Sequence, residues 1–226
     1  MNISISIIIP VFNEININLY LERLLNNDSY ENNEIIVVDG NGTTTIDLIK
    51  YDNIIKSTSI KGRANQMNKG ANLASKDILL FLHADTILPK DAINTIVETM
   101  SKKNIVAGAF DLSFDSNRFI LTLIAKLASW RSRLTKLPYG DQAIFIRKDI
   151  FQRIGKYEDI PLMEDVNLMQ KLKKEKLTIK ISEKKVITSA RKWQRDGIIY
   201  TTLRNWILIG LYYLKVHPKK LAKFYN

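Results

Sequence analysis

Three short runs of unbroken apolar residues constrain this chain more than anything else in it. They are "SISIIIPVF" at residues 4–12, "EIIVVDG" at 34–40 and "DILLFLHAD" at 77–85. None alternates as a half-exposed strand would, so each reads as a strand covered on both faces. The segments between them have helical spacing. "ININLYLERLLNN" places Ile17, Leu21, Leu24 and Leu25 on one face, and "KGRANQMNKGANLAS" gathers Ala64, Met67 and Ala71. "TTTIDLIKY" reads as a short helix capped by Thr43 or Thr44, and residues 53–57 as a weak strand. Pro89 opens the next helix, "PKDAINTIVETMSKK", at a position where proline is tolerated. Strand and helix alternating at this spacing predict an α/β fold, a mostly parallel central sheet flanked by helices.

In such sheets ligands bind beyond the carboxyl ends of the strands. All three apolar runs end in polar groups: Pro10 to Glu14, Asp39 to Gly42, and His83-Ala84-Asp85. Two carboxylates on one rim suit a metal-bound diphosphate, because Mg2+ or Mn2+ is commonly held by one or two carboxylates plus phosphate oxygens. Asp85 is the candidate metal ligand, and His83 a candidate hydrogen-bond partner for phosphate. Asp39 stands where a base or ribose would be read, and Arg63, after Gly62 in a helix-opening loop, where a phosphate would be neutralised.

The second half continues with "IVAGAFDLSF" as a strand and "RFILTLIAKLASWRSRLTKL" as a long amphipathic helix. "YGDQAIFIRKDIFQRIG" follows as turn, short strand and helix. "PLMEDVNLMQKLKKEKL" starts a helix at its acidic pair, and "KKVITSARKWQRDG" is a strand leaving into a basic, aromatic loop. The chain closes on "IIYTTLRNWILIGLYYLKVHPKKLAKFYN", an aromatic helix with a basic tail. No internal repeat or low-complexity linker divides it, so one domain over residues 1–196 with a helical extension over 197–226 is expected. Residues 1–113 hold 10 Lys and Arg against 13 Asp and Glu, a balance of −3; residues 114–226 hold 24 against 10, a balance of +14. The basic half calls for an anionic partner: phospholipid, nucleic acid or a phosphorylated substrate. Absence of cysteine excludes disulfides, zinc-thiolate sites and thiol catalysis. No G-x-x-x-x-G-K-[ST], G-x-G-x-x-G or G-x-S-x-G motif occurs. The N-terminus lacks the basic start of a signal peptide, and no apolar run reaches the roughly 18 residues of a membrane span, so a cytoplasmic location is expected. Aromatics followed by Lys215, Lys219, Lys220 and Lys223 suit a terminal helix lying on the inner face of an anionic membrane.

The motifs "SIIIPVFNE", "EIIVVDGNGT", "GRANQMNKGA", "FLHADT", "YGDQAIFIRKDIF", "PLMEDVNL" and "TSARKW" follow the order seen in family-2 inverting glycosyltransferases. The chain resembles that family over residues 4 to 200, with the radical-SAM/selenodomain-associated glycosyltransferases as the most similar branch. The resemblance implies a GT-A, Rossmann-like fold and a nucleotide-diphosphate sugar as donor, with transfer to an acceptor hydroxyl. It places Pro10, Asn13, Glu14 and Asp39 around base and ribose, and Arg63 near base or diphosphate. His83-Ala84-Asp85 takes the place of the family's D-x-D, with His83 for the first Asp and Asp85 as the metal ligand. Glu164-Asp165 matches the family's E-D pair, whose Asp is the general base, so Asp165 is the expected catalytic base with Glu164 as second choice. Gly140, Asp141 and Gln142, with Arg191, Lys192 and Trp193, would form the acceptor or diphosphate loops; Lys192 stands for the Arg of the family's Q-x-x-R-W and Ser189 for its Gln. Thr44 replaces an Asp common in relatives. The alternatives are a nucleotide-sugar-binding protein with weakened catalysis and a basic nucleic-acid-binding protein. No nucleic acid is expected, because no binding motif appears and an acidic rim repels a phosphate backbone.

Overall fold

The computed structural model describes residues 3–26 and 33–225. β1 (Ile5–Val11) is paired in parallel with β2 (Glu34–Asp39) on one side and β4 (Ile78–Phe81) on the other. β2 in turn pairs in parallel with β3 (Ile55–Thr58). Beyond β4 come the antiparallel β7 (Phe145–Arg147), then β6 (Ile105–Phe114), then β8 (Thr178–Thr188) parallel to β6. The two-residue β5 (Thr86–Ile87) closes the far edge against β8, giving the order β3-β2-β1-β4-β7-β6-β8-β5. This is the α/β architecture expected, a curled sheet flanked by helices.

The core divides along the pleat, since successive strand residues point to opposite faces. Ile7, Ile9 and Val37 face one cluster, which takes in Ile17, Leu21 and Leu24 of α1 (Ile17–Leu25). Residues of α3 (Ala92–Ser101) and α4 (Phe119–Thr135) complete that layer. Ile8, Ile36 and Val38 face the other cluster, covered by α2 (Arg63–Leu73), α5 (Lys148–Arg153) and α6 (Glu164–Lys174). Two glycines set the closeness of packing. A methyl group on Gly70 of α2 would overlap the Ile8 side chain, and one on Gly108 of β6 would overlap the Phe145 ring and the Lys180 carbonyl.

Several elements differ from expectation. The helix expected over residues 15–27 ends at Leu25, and Asn27 lies outside the described residues. Only one 3-10 turn, Ile46–Leu48, forms where "TTTIDLIKY" promised a helix, and neither Thr43 nor Thr44 caps it. α3 starts at Ala92 and not at Pro89, whose carbonyl accepts the Ala92 N–H. "RKWQRD" is a helix, α7 (Arg191–Asp196), and not a loop. The terminal segment forms two helices, α8 (Ile198–Tyr213) and α9 (Pro218–Ala222), with Pro218 at the start of α9 and the His217 ring accepting the Lys219 N–H. Among the described residues no helix is long and apolar enough to cross a membrane.

Replacing Gly108 by alanine is expected to cost about 1–3 kcal/mol, the usual penalty for overpacking. Gly210→Ala, on an open stretch of α8 with nothing within 4 Å of the added methyl, should gain roughly 0.5–1 kcal/mol. Urea unfolding of both variants checks the contrast.

Candidate active site

The parallel pairing brings the ends of β1, β2 and β4 to one rim. There a cleft of about 360 Å³ is lined by Pro10 and Glu14 from the end of β1, Lys61 and Arg63 at the start of α2, His83 and Asp85 after β4, together with Phe12, Ala84 and Arg191. Gln66 of α2 stiffens the rim from behind. Its side-chain amide donates to Val11 O at 2.5 Å and Val38 O at 2.9 Å, linking the ends of two strands. A side chain at Gly40 would meet Gln66 at 2.9 Å, so glycine is needed there for this clamp.

Not every expected residue faces the cleft. Asp39 is fully buried, and its carboxylate is spent on its own loop. Oδ2 accepts the Thr45 N–H at 2.6 Å, and Oδ1 accepts the Asn41 N–H at 2.9 Å. Asn13, at φ 54°, joins the same network through Asn41 Nδ2 at 2.6 Å. Thr44 reaches Asp39, Asn13 and Asn41 O through its hydroxyl, so it works inside this loop. Trp193 turns inward, its ring packed edge-on against Phe114 with 4.6 Å between centroids. Lys192 lies over the Tyr225 ring at 3.3 Å. Gln142 is buried structure: it accepts from Ser132 and from Tyr139 N and donates to Phe110 O. Phe12, Lys61 and Gln66 are cleft residues the sequence reading passed over. Lys61 sits beside Gly62-Arg63, and Phe12 follows Val11 at the end of β1, yet neither belongs to a polar cluster that would draw notice. In the fold, the Lys61 ammonium lies 4.6 Å from the Phe12 ring centre.

Behind the cleft, His83 separates it from a second group of acids. Gly140 makes the approach possible, because a side chain there would press on the His83 ring at 3.1 Å and on Asp165 Oδ2 at 3.3 Å. The Gly140 N–H donates to Asp165 Oδ2 at 2.5 Å, and the Val166 N–H donates to Asp165 Oδ1 at 2.7 Å. Both carboxylate oxygens are thereby fixed in direction, and Asp165 remains half-buried. The neighbouring Glu164 is used differently. It is buried and paired with Arg63 Nη1 at 3.2 Å, and burial pushes its carboxyl upward against the opposing pull of Arg63. Met163, at φ 68°, is the left-handed residue that opens α6, and the two adjacent acids diverge because successive helical residues point about 100° apart.

Charge is unbalanced here. Burial, helped by Asp165 and Asp85, pushes the Asp141 carboxyl up to about 7, against the pull of Arg131 and Arg63. Its Oδ1 is buried with no hydrogen-bond partner among the described residues, as is His83 Nε2. Burial and nearby Arg63 hold His83 down to about 3, so it is neutral. Among the described residues no three His, Asp or Glu side chains converge to cage a metal. Asp85 is exposed at the cleft and makes no salt bridge among the described residues. That fits a cation held by one carboxylate and a ligand's phosphates, not a cage built by protein alone.

Residues 6–158 match the family described as Glycosyl transferase family 2. The chain belongs to this family. Among solved structures it is similar to S. aureus TarS residues 1–349, crystallised with UDP-GlcNAc. The TM-score is 0.63 at 17% identity, over 83% of this chain and 58% of that one, which establishes a shared fold. No curated protein matches the sequence. The match for this family-2 chain stops before Glu164 and Asp165, so the reading of that pair rests on the geometry around Gly140.

Asp141 sets a pH test on the metal-free protein. Its folded value near 7 lies above the unfolded 3.8, so the folded state holds the extra proton between these values. Its contribution is present at low pH and is lost as pH rises towards 7. Asp141→Asn removes that loss. The variant should gain thermal stability over the parent between pH 4 and pH 8, about 2–4 °C for each kcal/mol. Melting curves in EDTA check it; a gap that narrows with rising pH contradicts the assignment.

Proposed function

We propose that this family-2 protein transfers a hexosyl group from a nucleotide-diphosphate sugar to an acceptor hydroxyl, with inversion at the anomeric carbon and Asp165 as general base. One observation carries the reading. The Asp165 carboxylate, aimed by two backbone N–H donors, lies beside Gly140, whose other neighbour His83 lines the cleft that also holds Lys61, Arg63 and Asp85. The half-exposed Phe12 ring offers a flat face to a nucleobase. Lys61, Arg63 and the amino end of α2 face the same space and suit a diphosphate. A divalent cation, Mn2+ or Mg2+, would be held by Asp85 and would offset charge on the departing diphosphate.

The acceptor hydroxyl approaches from the face opposite the diphosphate. Its proton passes to Asp165 as its oxygen bonds to the anomeric carbon. The bond from that carbon to the diphosphate oxygen breaks, and its electrons leave with the nucleotide. Lys61 and Arg63 counter the charge that develops there. Glu164 orients Arg63 and does not take the proton, because it is buried in the ion pair. Arg191, on the cleft wall, supplies a further positive group to the diphosphate end. A uridine-based donor is the first to test, since the similar TarS structure holds UDP-GlcNAc.

Asp165→Asn should bind UDP normally and lose roughly 100- to 10,000-fold in turnover, the usual worth of a general base. Normal turnover would remove Asp165 from that role. Asp85→Asn keeps the side-chain shape and removes the charge. Titration calorimetry should show Mn2+-dependent UDP affinity falling by at least about tenfold, ~1.4 kcal/mol. Unchanged affinity would remove Asp85 from the metal.

A further inference from the structure

Helix α8 is built inside out. Toward the domain it turns Thr201, Thr202, Arg204 and Asn205 beside Leu208, and among the described residues the Thr201 and Thr202 hydroxyls, Asn205 Oδ1 and two Arg204 nitrogens are buried without a hydrogen-bond partner. Toward solvent it turns Ile199, Leu203, Trp206, Ile207, Tyr213 and Leu214, with Trp206 60% and Leu214 76% exposed. Helical spacing puts these on one continuous stripe. A helix that only covers a core has the reverse arrangement.

α4 carries a second stripe. Leu121, Ala125, Ser129 and Ser132 are buried against the sheet. Phe119, Leu123, Leu127, Trp130 and Leu134 occupy the opposite side of the helix, with Phe119 81% and Trp130 64% exposed. The segments leading into the two helices meet. Ahead of α4, the Asp115 carboxylate accepts the Ala190 N–H at 2.6 Å, and Phe114 packs on Trp193 of α7, the helix before α8. Near their ends, Tyr213 of α8 and Tyr139, just after α4, lie close enough to interact electrostatically.

We propose that α4 and α8 together dock this protein on an anionic lipid bilayer, with their apolar stripes among the acyl chains and the flanking lysines at the headgroups. Charge selects this occupant. Residues 118–136 and 198–226 contain no Asp or Glu. Lys126, Lys136, Lys215, Lys219, Lys220 and Lys223 are all exposed along or beyond the stripes. A second copy meeting the same face across a two-fold axis would set these positive groups against each other, whereas each lysine near an anionic surface gains about 1 kcal/mol. Exposed Trp and Tyr on the stripes suit the headgroup boundary. Helix α8 reaches the neighbourhood of the reaction centre through its inner side. Leu208 and Leu221 pack on Leu162, just before the Glu164-Asp165 pair, and Tyr139 precedes Gly140. The acceptor hydroxyl then belongs to a membrane-borne molecule, a consequence that rests on the glycosyl-transfer reading.

Sedimentation with phosphatidylcholine vesicles, with and without phosphatidylglycerol, tests the surface. The bound fraction should rise with phosphatidylglycerol and fall with salt. The double variants Trp206→Glu/Ile207→Glu on α8 and Leu127→Glu/Trp130→Glu on α4 should each weaken partitioning by at least about tenfold, from lost apolar burial. UDP binding should be unchanged in both, since all four side chains are exposed. Three outcomes overturn the proposal: the intact protein staying in the supernatant at low salt with phosphatidylglycerol present, either variant binding as tightly as the parent, or light scattering showing a dimer that both variants split. Vesicle binding without any consumption of a nucleotide sugar would leave the surface standing and reject the transfer reading.

Discussion

The site depends on one topological constraint: β1 runs parallel to both of its neighbours. Parallel strands deliver their carboxyl ends to a single edge, so Val11, Asp39 and the residues after Phe81 emerge together. Had β4 been antiparallel to β1, His83 and Asp85 would stand at the opposite edge from Glu14. Direct bonds reinforce the arrangement. The Gly40 N–H donates to Val11 O at 3.0 Å, the Leu82 N–H to Ile8 O at 2.9 Å, and the Gln66 amide bridges two strand ends. The cleft floor is therefore a stiff extension of the sheet, and its polar groups are held by backbone already fixed by core packing.

That rim was legible in the sequence because burial on both faces leaves an unmistakable apolar run, and a run that stops in polar residues marks where the sheet ends. What each polar residue does there was less legible. Asp39 and Asp85 have the same local signature, a carboxylate at the end of a buried strand. One folds inward to hold residues 41–45, and the other stays exposed at the cleft. Only the course of the following loop separates them: Thr44 and Thr45 bring partners to Asp39, and Thr44 reads from sequence as a helix cap. The same limit applies to α8. A 3.6-residue period shows that a helix has two unlike faces and does not say which one meets the domain. With Thr201 and Arg204 turned inward, the answer came from the packing of Leu208 and Leu221 against Leu162. Asp141 was visible as a residue of the "YGDQ" turn, but its charge environment is made by Asp85 and Asp165, both distant in sequence.

Arg63 and Glu164, 101 residues apart, connect the two sides of the site. Arg63 begins α2 on the cleft wall, and Glu164 begins α6 beside Asp165. Glu164 is buried and Arg63 is about half exposed, so the pair is asymmetric. Its Coulombic gain is partly screened on the arginine side, while loss of Arg63 would strand a buried carboxylate. Its value lies in position as much as in stability. The cation that would meet the diphosphate is held by the residue adjacent to the proposed base, so displacing either end moves both.

The acids around His83 suggest why such a site would wait for its donor. Burial, with Asp165 and Asp85 nearby, raises the cost of ionising Asp141, and Arg131 and Arg63 offset that only in part. The Gly140 N–H holds the Asp165 carboxylate in place close to Asp141, the next residue along. A cation arriving with the diphosphate at Asp85 would supply the missing positive charge without rearranging the backbone. In the proposed reaction that relief would favour the ionised form of Asp141, beside the base. Donor binding would then settle the charge next to the base before the acceptor arrives.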